Sequence, residues 1–201
     1  MHDVDEVVVN KWIFRYLLMY YKSYGDDEIT VTEAVNPCLR KSYLTRVKMV
    51  QPTPMEFLKV VGQDIHVALQ DILRREGWDV EVGVALRLDG FVLRGRVDAA
   101  KDDVILEFKT TNGIPERPYE SHQLQTQAYL TMMNASKGYI IYLSRTDGKV
   151  KVFKIHPSKG SLKKVIGRAK QLHEALKSNQ PPPPSRGPWC EYCSFKLACR
   201  R

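Results

Sequence analysis

Apolar residues recur along the chain with two different periods, and these periods mark out its predicted helices and strands. Residues 54–75 have apolar positions at helical spacing, and their predicted buried stripe is Leu58, Val61, Ile65, Ala68 or Leu69, and Ile72. Pro54 suits the first position of that helix, where a missing amide proton costs nothing. Alternation with a period of two then predicts strands over residues 80–88, 91–100 and 104–110.

The second half of the chain continues with a helix, two strands and another helix. These elements are predicted over residues 119–134, 137–144, 149–155 and 161–178. Asp-Gly pairs at 89–90 and 147–148 are typical of tight hairpin turns, because glycine readily adopts a positive φ. The order of elements indicates an α/β fold whose central hairpin joins the second and third strands.

The two ends of the chain depart from this pattern. Residues 10–24 predict a helix rich in aromatic side chains, and shorter helical patterns at 32–36 and 39–44 lie on either side of Cys38. Prolines 181–184 form a stiff, extended spacer before the C-terminus. The helix at 161–178 has a basic outer face, which is either a solvated surface or a phosphate contact, formed by Lys163, Lys164, Arg168 and Lys170.

Composition and charge narrow the class of protein. A chain of 201 residues with 43% hydrophobic and 27% charged residues is expected to form one globular domain, residues 1–201. The net charge of +8 favours a polyanionic partner, either nucleic acid or an acidic membrane surface. The first residues are acidic, unlike a signal peptide, and no apolar run reaches the ~20 residues of a membrane span. We therefore expect a cytoplasmic protein without a membrane partner.

Asp98, Glu107 and Lys109 on the central hairpin are candidates for catalysis. Glu107 and Lys109 share a face because side chains alternate along a strand. Asp98 lies on the same face if the numbers of residues opposite each other in the two strands of the hairpin add up to an odd number. Ala100 opposite Asp103 is an example of such a register. That register places Asp98 diagonal to Glu107. Two carboxylates can hold Mg²⁺ or Mn²⁺, and an ammonium can orient or deprotonate the attacking water. The alternative is an exposed hairpin face with ordinary ion pairs.

The four cysteines suggest a second site. Cys190, Cys193 and Cys199 lie among the last twelve residues, and Cys38 lies 152 positions before Cys190. In a reducing compartment, four cysteines indicate metal or cluster ligation rather than disulfides. Zinc and an iron-sulfur cluster both remain open, and the absence of histidine near the C-terminal group favours the cluster. Ligation would close a long loop and tie the tail to the N-terminal helices.

Taken in order, these motifs resemble the PD-(D/E)XK nuclease superfamily, in the RecB-like branch of CRISPR-associated exonucleases that carry an iron-sulfur cluster. The resemblance spans roughly residues 30–201 and rests on Gly62-x3-His66, residues 95–98, Glu107-x-Lys109, Gln125-x3-Tyr129 and the four cysteines. From the residues alone, a single histidine such as His66 is ordinarily packed or solvated. Val97 replaces the proline of the superfamily's name, and Leu39 follows Cys38 where the branch usually has proline.

The resemblance implies a nuclease core with a central mixed sheet flanked by helices. A cysteine-ligated iron-sulfur clamp would join the N- and C-terminal parts. The implied regions are an aromatic extension at 1–29, a cluster region at 30–53 and 180–201, and the nuclease core at 54–178.

The resemblance also implies the role of each site residue. The divalent metal, Mg²⁺ or Mn²⁺, would be held by His66, Asp98, Glu107 and the backbone carbonyl of Phe108. Asp98, Glu107 and Lys109 would be catalytic, and Gln125 and Tyr129 would position the DNA. A 4Fe-4S or 2Fe-2S cluster would be held by Cys38, Cys190, Cys193 and Cys199.

The function implied is a metal-dependent exonuclease that acts on single-stranded DNA ends or overhangs. It would trim DNA for CRISPR spacer acquisition, with integrase proteins as partners. The alternative is a non-catalytic iron-sulfur module that binds DNA or serves as a scaffold for an integrase complex. The intact acidic pair and Lys109 favour the enzyme.

Overall fold

The computed structural model describes residues 24–48 and 54–199, and it describes the backbone alone for residues 54–61 and 63. The strands are β1 (Glu28–Thr30), β2 (Asp79–Leu88), β3 (Phe91–Lys101), β4 (Val104–Thr111), β5 (Lys137–Ser144) and β6 (Val150–Ile155). The α-helices are α1 (Val31–Val35), α2 (Leu39–Val47), α3 (Pro54–Arg75), α4 (Glu120–Met133) and α5 (Ser161–Ser178). A short 3-10 helix, Pro188–Cys190, precedes the last two cysteines. The helix predicted at 10–24 lies outside the described residues except for Tyr24.

Strand β3 is the centre of one six-stranded mixed sheet. It pairs antiparallel with β2 along its length, while β1 pairs parallel with its beginning and β4 antiparallel with its end. Strand β5 then lies parallel to β4, and β6 antiparallel to β5. The predicted α/β class, with a central mixed sheet flanked by helices, is confirmed. Within the described residues, none of the helices has the length and apolar character that a membrane span requires.

Two apolar cores lie on opposite faces of the sheet. Buried residues of α1, α2, α4 and α5 pack against Ile105 and its neighbours in the main core. A smaller core contains Leu106 and Phe108, packed against Leu69 and Leu73 of α3. Adjacent residues of β4 enter different cores because side chains alternate along a strand.

Helix α3 has the predicted limits, but its predicted buried stripe is partly wrong. Ile72 is 56% exposed and Ala68 is also exposed, whereas Leu69 packs on the smaller core. The flank that contains Gly62 and His66 faces the sheet instead. An apolar pattern predicts that a helix forms, but the shape of the opposing surface decides how the helix is rotated.

The start of the described chain was not predicted correctly. Thr30, rather than Thr32, is the N-cap of α1: its hydroxyl accepts a hydrogen bond from Glu33 N, and the Glu33 carboxylate accepts one from Thr30 N. Strand β1 was missed because three residues are too short to show a period of two. Its parallel pairing with β3 depends on distant residues.

The prediction of a basic outer face on α5 is wrong for Arg168. Its Nε donates a 2.6 Å hydrogen bond to the carbonyl of Ala34, and its guanidinium also donates to the carbonyl of Asn36. Lys164 instead remains exposed and pairs with Glu120 at 2.7 Å. Arg168 therefore joins α5 to the C-terminal end of α1.

Candidate active site

The two candidate acids meet where β3 and β4 separate. Ala100 lies opposite Ile105. The numbers of paired residues therefore add up to an odd number, as predicted. The register given as an example, with Ala100 opposite Asp103, is wrong. The ladder ends before Asp98. Its Oδ2 accepts a 2.7 Å hydrogen bond from Phe108 N in place of a ladder bond. This hydrogen bond places the Asp98 carboxylate at the residue that follows Glu107.

The regular alternation of β3 is broken at Asp98. Val97 lies in the main core, whereas Ala99, two positions later, lies in the smaller core on the opposite face. The ladder with β2 pairs the residues on either side of Asp98 but not Asp98 with Glu81, whose φ is 56°. This local distortion adds no residue to either strand, because the register of β2 with β3 is the same on both sides of it. It turns the Asp98 carboxylate toward β4 and α3.

A row of hydrogen bonds connects β4 to α4. Lys109 Nζ donates to Glu107 Oε2 at 2.8 Å and to Gln125 Oε1 at 3.0 Å. Gln125 Nε2 donates to the Tyr129 hydroxyl at 3.2 Å, so the two lie on one face of α4 as predicted. Glu107 and Tyr129 are both 1% exposed. The structure therefore brings together four of the predicted site residues in a buried polar row.

Burial governs the charges in this row. It raises the pKa of Glu107 to about 7, although the ammonium of Lys109 acts in the opposite direction. Burial alone would lower the pKa of Lys109, but the carboxylates of Glu107 and Asp98 raise it well above its usual value. Burial also raises the pKa of Tyr129 to about 12. Lys109 therefore stays positively charged and Tyr129 stays protonated near neutral pH.

His66 lies on α3 beside the acids. Its Nδ1 is 3.8 Å from Asp98 Oδ2, and its ring centroid is 6.0 Å from that of Phe108. Gly62, one turn earlier, lets α3 approach β4 closely, since a Cβ there would lie 2.2 Å from Thr110 Oγ1. Burial lowers the pKa of His66, partly opposed by the charge of Asp98. A neutral imidazole of this kind has one nitrogen free to act as an acceptor.

Two buried atoms at the site suit a cation. Glu107 Oε1 and His66 Nε2 have no hydrogen-bond partner within the described part of the chain. Buried polar atoms are normally satisfied, so an oxygen and a nitrogen without partners are what a metal ligand would show in the absence of metal. Nevertheless, among the described residues no three His, Cys, Asp or Glu side chains lie close enough to hold one ion. The ligand roles of His66, Asp98, Glu107 and the Phe108 carbonyl stay predictions.

A cleft of about 290 Å³ opens beside Lys109. Its described lining consists of Gly62, His66, Phe108, Lys109, Thr110, His122 and Arg145. None of these residues is acidic. His122 and Arg145 were not predicted from the sequence as site residues. His122 lies three residues before Gln125, a spacing that places both on one face of a helix and could have indicated His122.

All four cysteines are free thiols, with Cys38 buried and the other three half-buried. The C-terminal segment does return to the N-terminal helices. Arg40 Nε donates a 2.7 Å hydrogen bond to the carbonyl of Pro182, and Phe195 is buried in the main core. These contacts join the tail to α2, while an iron-sulfur cluster stays a prediction.

Comparison with known proteins identifies the family. The PD-(D/E)XK nuclease superfamily matches residues 70–200, well over half of the chain, including β2 to β6 and the candidate acids. The chain belongs to the PD-(D/E)XK nuclease superfamily. The resemblance noted in the sequence is confirmed, and with it the assignment of the protein to a family of nuclease enzymes.

Individual relatives of this PD-(D/E)XK protein agree with that assignment. The CRISPR-associated exonuclease Cas4 of Saccharolobus solfataricus is 26% identical over 153 residues, 70% of each chain. The crystal structure of SSO0001 matches with a TM-score of 0.70 and 23% identity over 96% of each chain. LHK-Exo, an alkaline exonuclease from Laribacter hongkongensis, matches in its dAMP complex with a TM-score of 0.52 and 13% identity, over 96% of this chain and 100% of that one. The two structures show a shared fold.

Proposed function

We propose that this protein is a divalent-metal-dependent deoxyribonuclease that removes nucleotides from the ends of single-stranded DNA. The observation that carries the proposal is the group formed by buried Glu107 with half-buried Asp98 and Lys109 beside an open cleft, in a member of a nuclease superfamily. Buried polar atoms are normally hydrogen-bonded. Here one carboxylate oxygen of Glu107 is buried without a hydrogen-bond partner among the described residues.

In this proposal Asp98, Glu107 and His66 hold Mg²⁺ or Mn²⁺, together with the carbonyl of Phe108. Hard cations of this kind prefer oxygen ligands, which the two carboxylates and the carbonyl supply. When bound, such a cation stabilises negative charge on the phosphate and makes water a better nucleophile. The hydrogen bond from Phe108 N orients Asp98 for this role.

Lys109 contributes a positive charge in a fixed position. Its ammonium is held between Glu107 and Gln125 and also lines the cleft. A charge fixed in advance at this place stabilises the negative charge that develops on a phosphate during cleavage. Gln125 and Tyr129 are buried, so we infer that they position the DNA indirectly, by orienting Lys109.

The cysteines form the second part of the proposal. Cys38, Cys190, Cys193 and Cys199 hold a 4Fe-4S or 2Fe-2S cluster that joins residues 30–53 and 180–201 to the nuclease core at 54–178. Four free thiols are a suitable donor set for such a cluster. The contact between Arg40 and Pro182 already brings the two cluster regions together. The clamp would form a wall beside the cleft that admits one strand rather than a duplex.

The cellular role that we propose is the trimming of DNA for CRISPR spacer acquisition, together with integrase proteins. It is supported by the CRISPR-associated relative and by the net charge of +8, which suits a DNA partner. These finer assignments depend on the nuclease activity, which is therefore tested first.

The decisive experiment compares end-labelled linear single-stranded DNA, circular single-stranded DNA and blunt duplex DNA at one salt concentration. Mg²⁺, Mn²⁺ or EDTA is added to each. We expect rapid cleavage of the linear single strand only, and none in EDTA. Equal rates on linear and circular strands would indicate an endonuclease, and faster cutting of the duplex would contradict the narrow passage. Binding without cleavage in either metal would favour the non-catalytic module.

A further inference from the structure

His122 is a polar residue of the cleft to which the proposed reaction gives no role. It lies in the first turn of α4, and its Nδ1 is 2.8 Å from the Tyr142 hydroxyl. Tyr142 is fully buried on β5, and its oxygen accepts a 3.1 Å hydrogen bond from Tyr119 N. One nitrogen of the His122 ring is thus engaged with the protein interior, while the residue lines the cleft.

The buried hydroxyl determines which nitrogen of His122 carries the proton. A buried O–H needs an acceptor, and within the described residues the acceptor in reach of Tyr142 is His122 Nδ1. Burial, together with the charge of Lys109, lowers the pKa of His122 to about 3, so the ring is neutral. A neutral imidazole that accepts at Nδ1 carries its proton at Nε2. His122 therefore presents an N–H donor on the side away from Tyr142.

Arg145 provides a second fixed donor in the same cleft. It directly follows β5, its backbone N–H donates to the carbonyl of Thr111 at 2.8 Å, and its guanidinium donates to Asn112 Oδ1 at 2.8 Å. The described lining of the cleft thus contains two cations, Arg145 and Lys109, and no carboxylate. Because the Lys109 ammonium is already paired with Glu107, the guanidinium of Arg145 and the Nε2–H of His122 are the groups that favour an anion with several acceptor oxygens, such as a phosphate.

We propose that His122, through Nε2–H, and Arg145 bind a phosphate group of the DNA strand in the cleft beside Lys109. The inference rests on the proposed function, because it takes DNA as the substrate. It adds a phosphate-binding position that does not involve the metal. Tyr142 is a positioning residue, since it acts only by holding the tautomer of His122.

Two matched substitutions of His122 test the donor. In His122→Gln the side-chain amide can place an N–H near the position of Nε2. In His122→Asn the shorter side-chain amide reaches only the position of Nδ1, so no N–H donor is presented to the cleft. Binding of a fluorescent oligothymidylate in EDTA should weaken about tenfold in His122→Asn and about twofold in His122→Gln, as expected for one hydrogen bond to a charged group.

Arg145→Gln should weaken binding at least as much as His122→Asn. Lys159→Gln, an exposed site outside the described lining, is the charge control.

Nitrogen-15 NMR of the His122 ring gives a measurement that does not depend on activity. We expect the Nε2–H tautomer in the wild-type protein, a mixture of tautomers in Tyr142→Phe, and a shift of the Nε2–H signal when the oligothymidylate binds. An Nδ1–H tautomer in the wild type would overturn the inference. Unchanged affinity in His122→Asn would do the same.

The outcomes also separate this inference from the proposed function. If His122→Asn loses affinity in EDTA but no metal supports cleavage by the wild type, the phosphate position stands and the nuclease proposal fails. If the wild type cleaves DNA and His122→Asn binds and cleaves equally well, the nuclease proposal stands and the phosphate position fails.

Discussion

Glu107 has an unusual environment for a carboxylate: it is 1% exposed, one oxygen is bonded to Lys109, and the other has no hydrogen-bond partner within the described residues. We predict that Glu107→Gln lowers metal-dependent cleavage by at least about a hundredfold, because the amide keeps the size and loses the charge that holds a cation. Asp98→Asn should behave similarly. The measurement is the initial rate on linear single-stranded DNA in Mg²⁺ and in Mn²⁺.

The matched control for this prediction is Glu116→Gln, which removes the same charge from an exposed loop. Circular dichroism should show that all three variants keep the fold. Wild-type rates in either active-site variant would contradict the assignment of the acids.

Gly95 on β3 leads to a prediction about core packing, also at the scale of single residues. A Cβ at this position would lie 2.3 Å from Cε1 of Tyr129, whose side chain is fully buried. We predict that Gly95→Ala lowers the free energy of unfolding by about 1–3 kcal/mol, as overpacking in a core usually does. Urea denaturation measures the change. Because it displaces Tyr129, the variant should also disturb Gln125 and so reduce cleavage.

Gly83→Ala is the control for Gly95→Ala. Gly83 lies on the adjacent strand β2, and a Cβ there would meet no atom of the described residues within 4 Å. Its free energy of unfolding should stay close to that of the wild type. Equal losses in the two variants would mean that strand conformation, rather than contact with Tyr129, explains the effect.

At the scale of elements, Arg168 fixes α5 against α1. The last carbonyls of a helix lack partners within the helix, and Arg168 donates to Ala34 O and Asn36 O at that end. We predict that Arg168→Ala lowers the free energy of unfolding by about 2 kcal/mol, because it removes charged donors from part-buried carbonyls. Urea denaturation of Lys163→Ala, an exposed position on the same helix, provides the baseline. A similar small loss in both variants would show that the contact contributes little.

At the scale of the whole molecule, the four cysteines lie on segments that are remote in the sequence. We predict that the purified protein contains iron and absorbs visible light, and that Cys190→Ser loses iron and also stability. Ligation would close a very long loop, so part of the binding free energy would be folding free energy. Metal analysis and thermal unfolding measure the two effects. Colourless protein with bound zinc would indicate a structural zinc site instead.

The charge of the whole molecule leads to a prediction about DNA binding. With a net charge of +8, affinity for single-stranded DNA should fall steeply as salt rises, because binding releases counterions from the phosphates. Affinity should vary little between oligonucleotides of different sequence, since phosphate contacts carry no base information. Fluorescence anisotropy over a range of salt concentrations measures both. Affinity that is insensitive to salt would contradict a phosphate-tracking surface.

The sequence by itself determined most of the secondary structure and the chemical groups, although not strand β1. Helix α3, helix α5 and strand β5 have the predicted limits, and Asp98, Glu107, Lys109, Gln125 and Tyr129 were all named as site candidates. Local signals suffice for this because helical spacing, alternation and turn residues act over a few positions. The order of the motifs also sufficed to suggest the superfamily.

Only the tertiary structure decided how these groups are arranged. The break at Asp98, the rotation of α3, the inward turn of Arg168 and the addition of His122 and Arg145 to the cleft each depend on contacts between remote segments. Burial likewise raises the pKa of Glu107, whose Oε1 has no hydrogen-bond partner in the part of the chain that the structure describes. A sequence pattern states which face of an element is apolar, but the register and the environment of a polar group follow from the surfaces that pack against it.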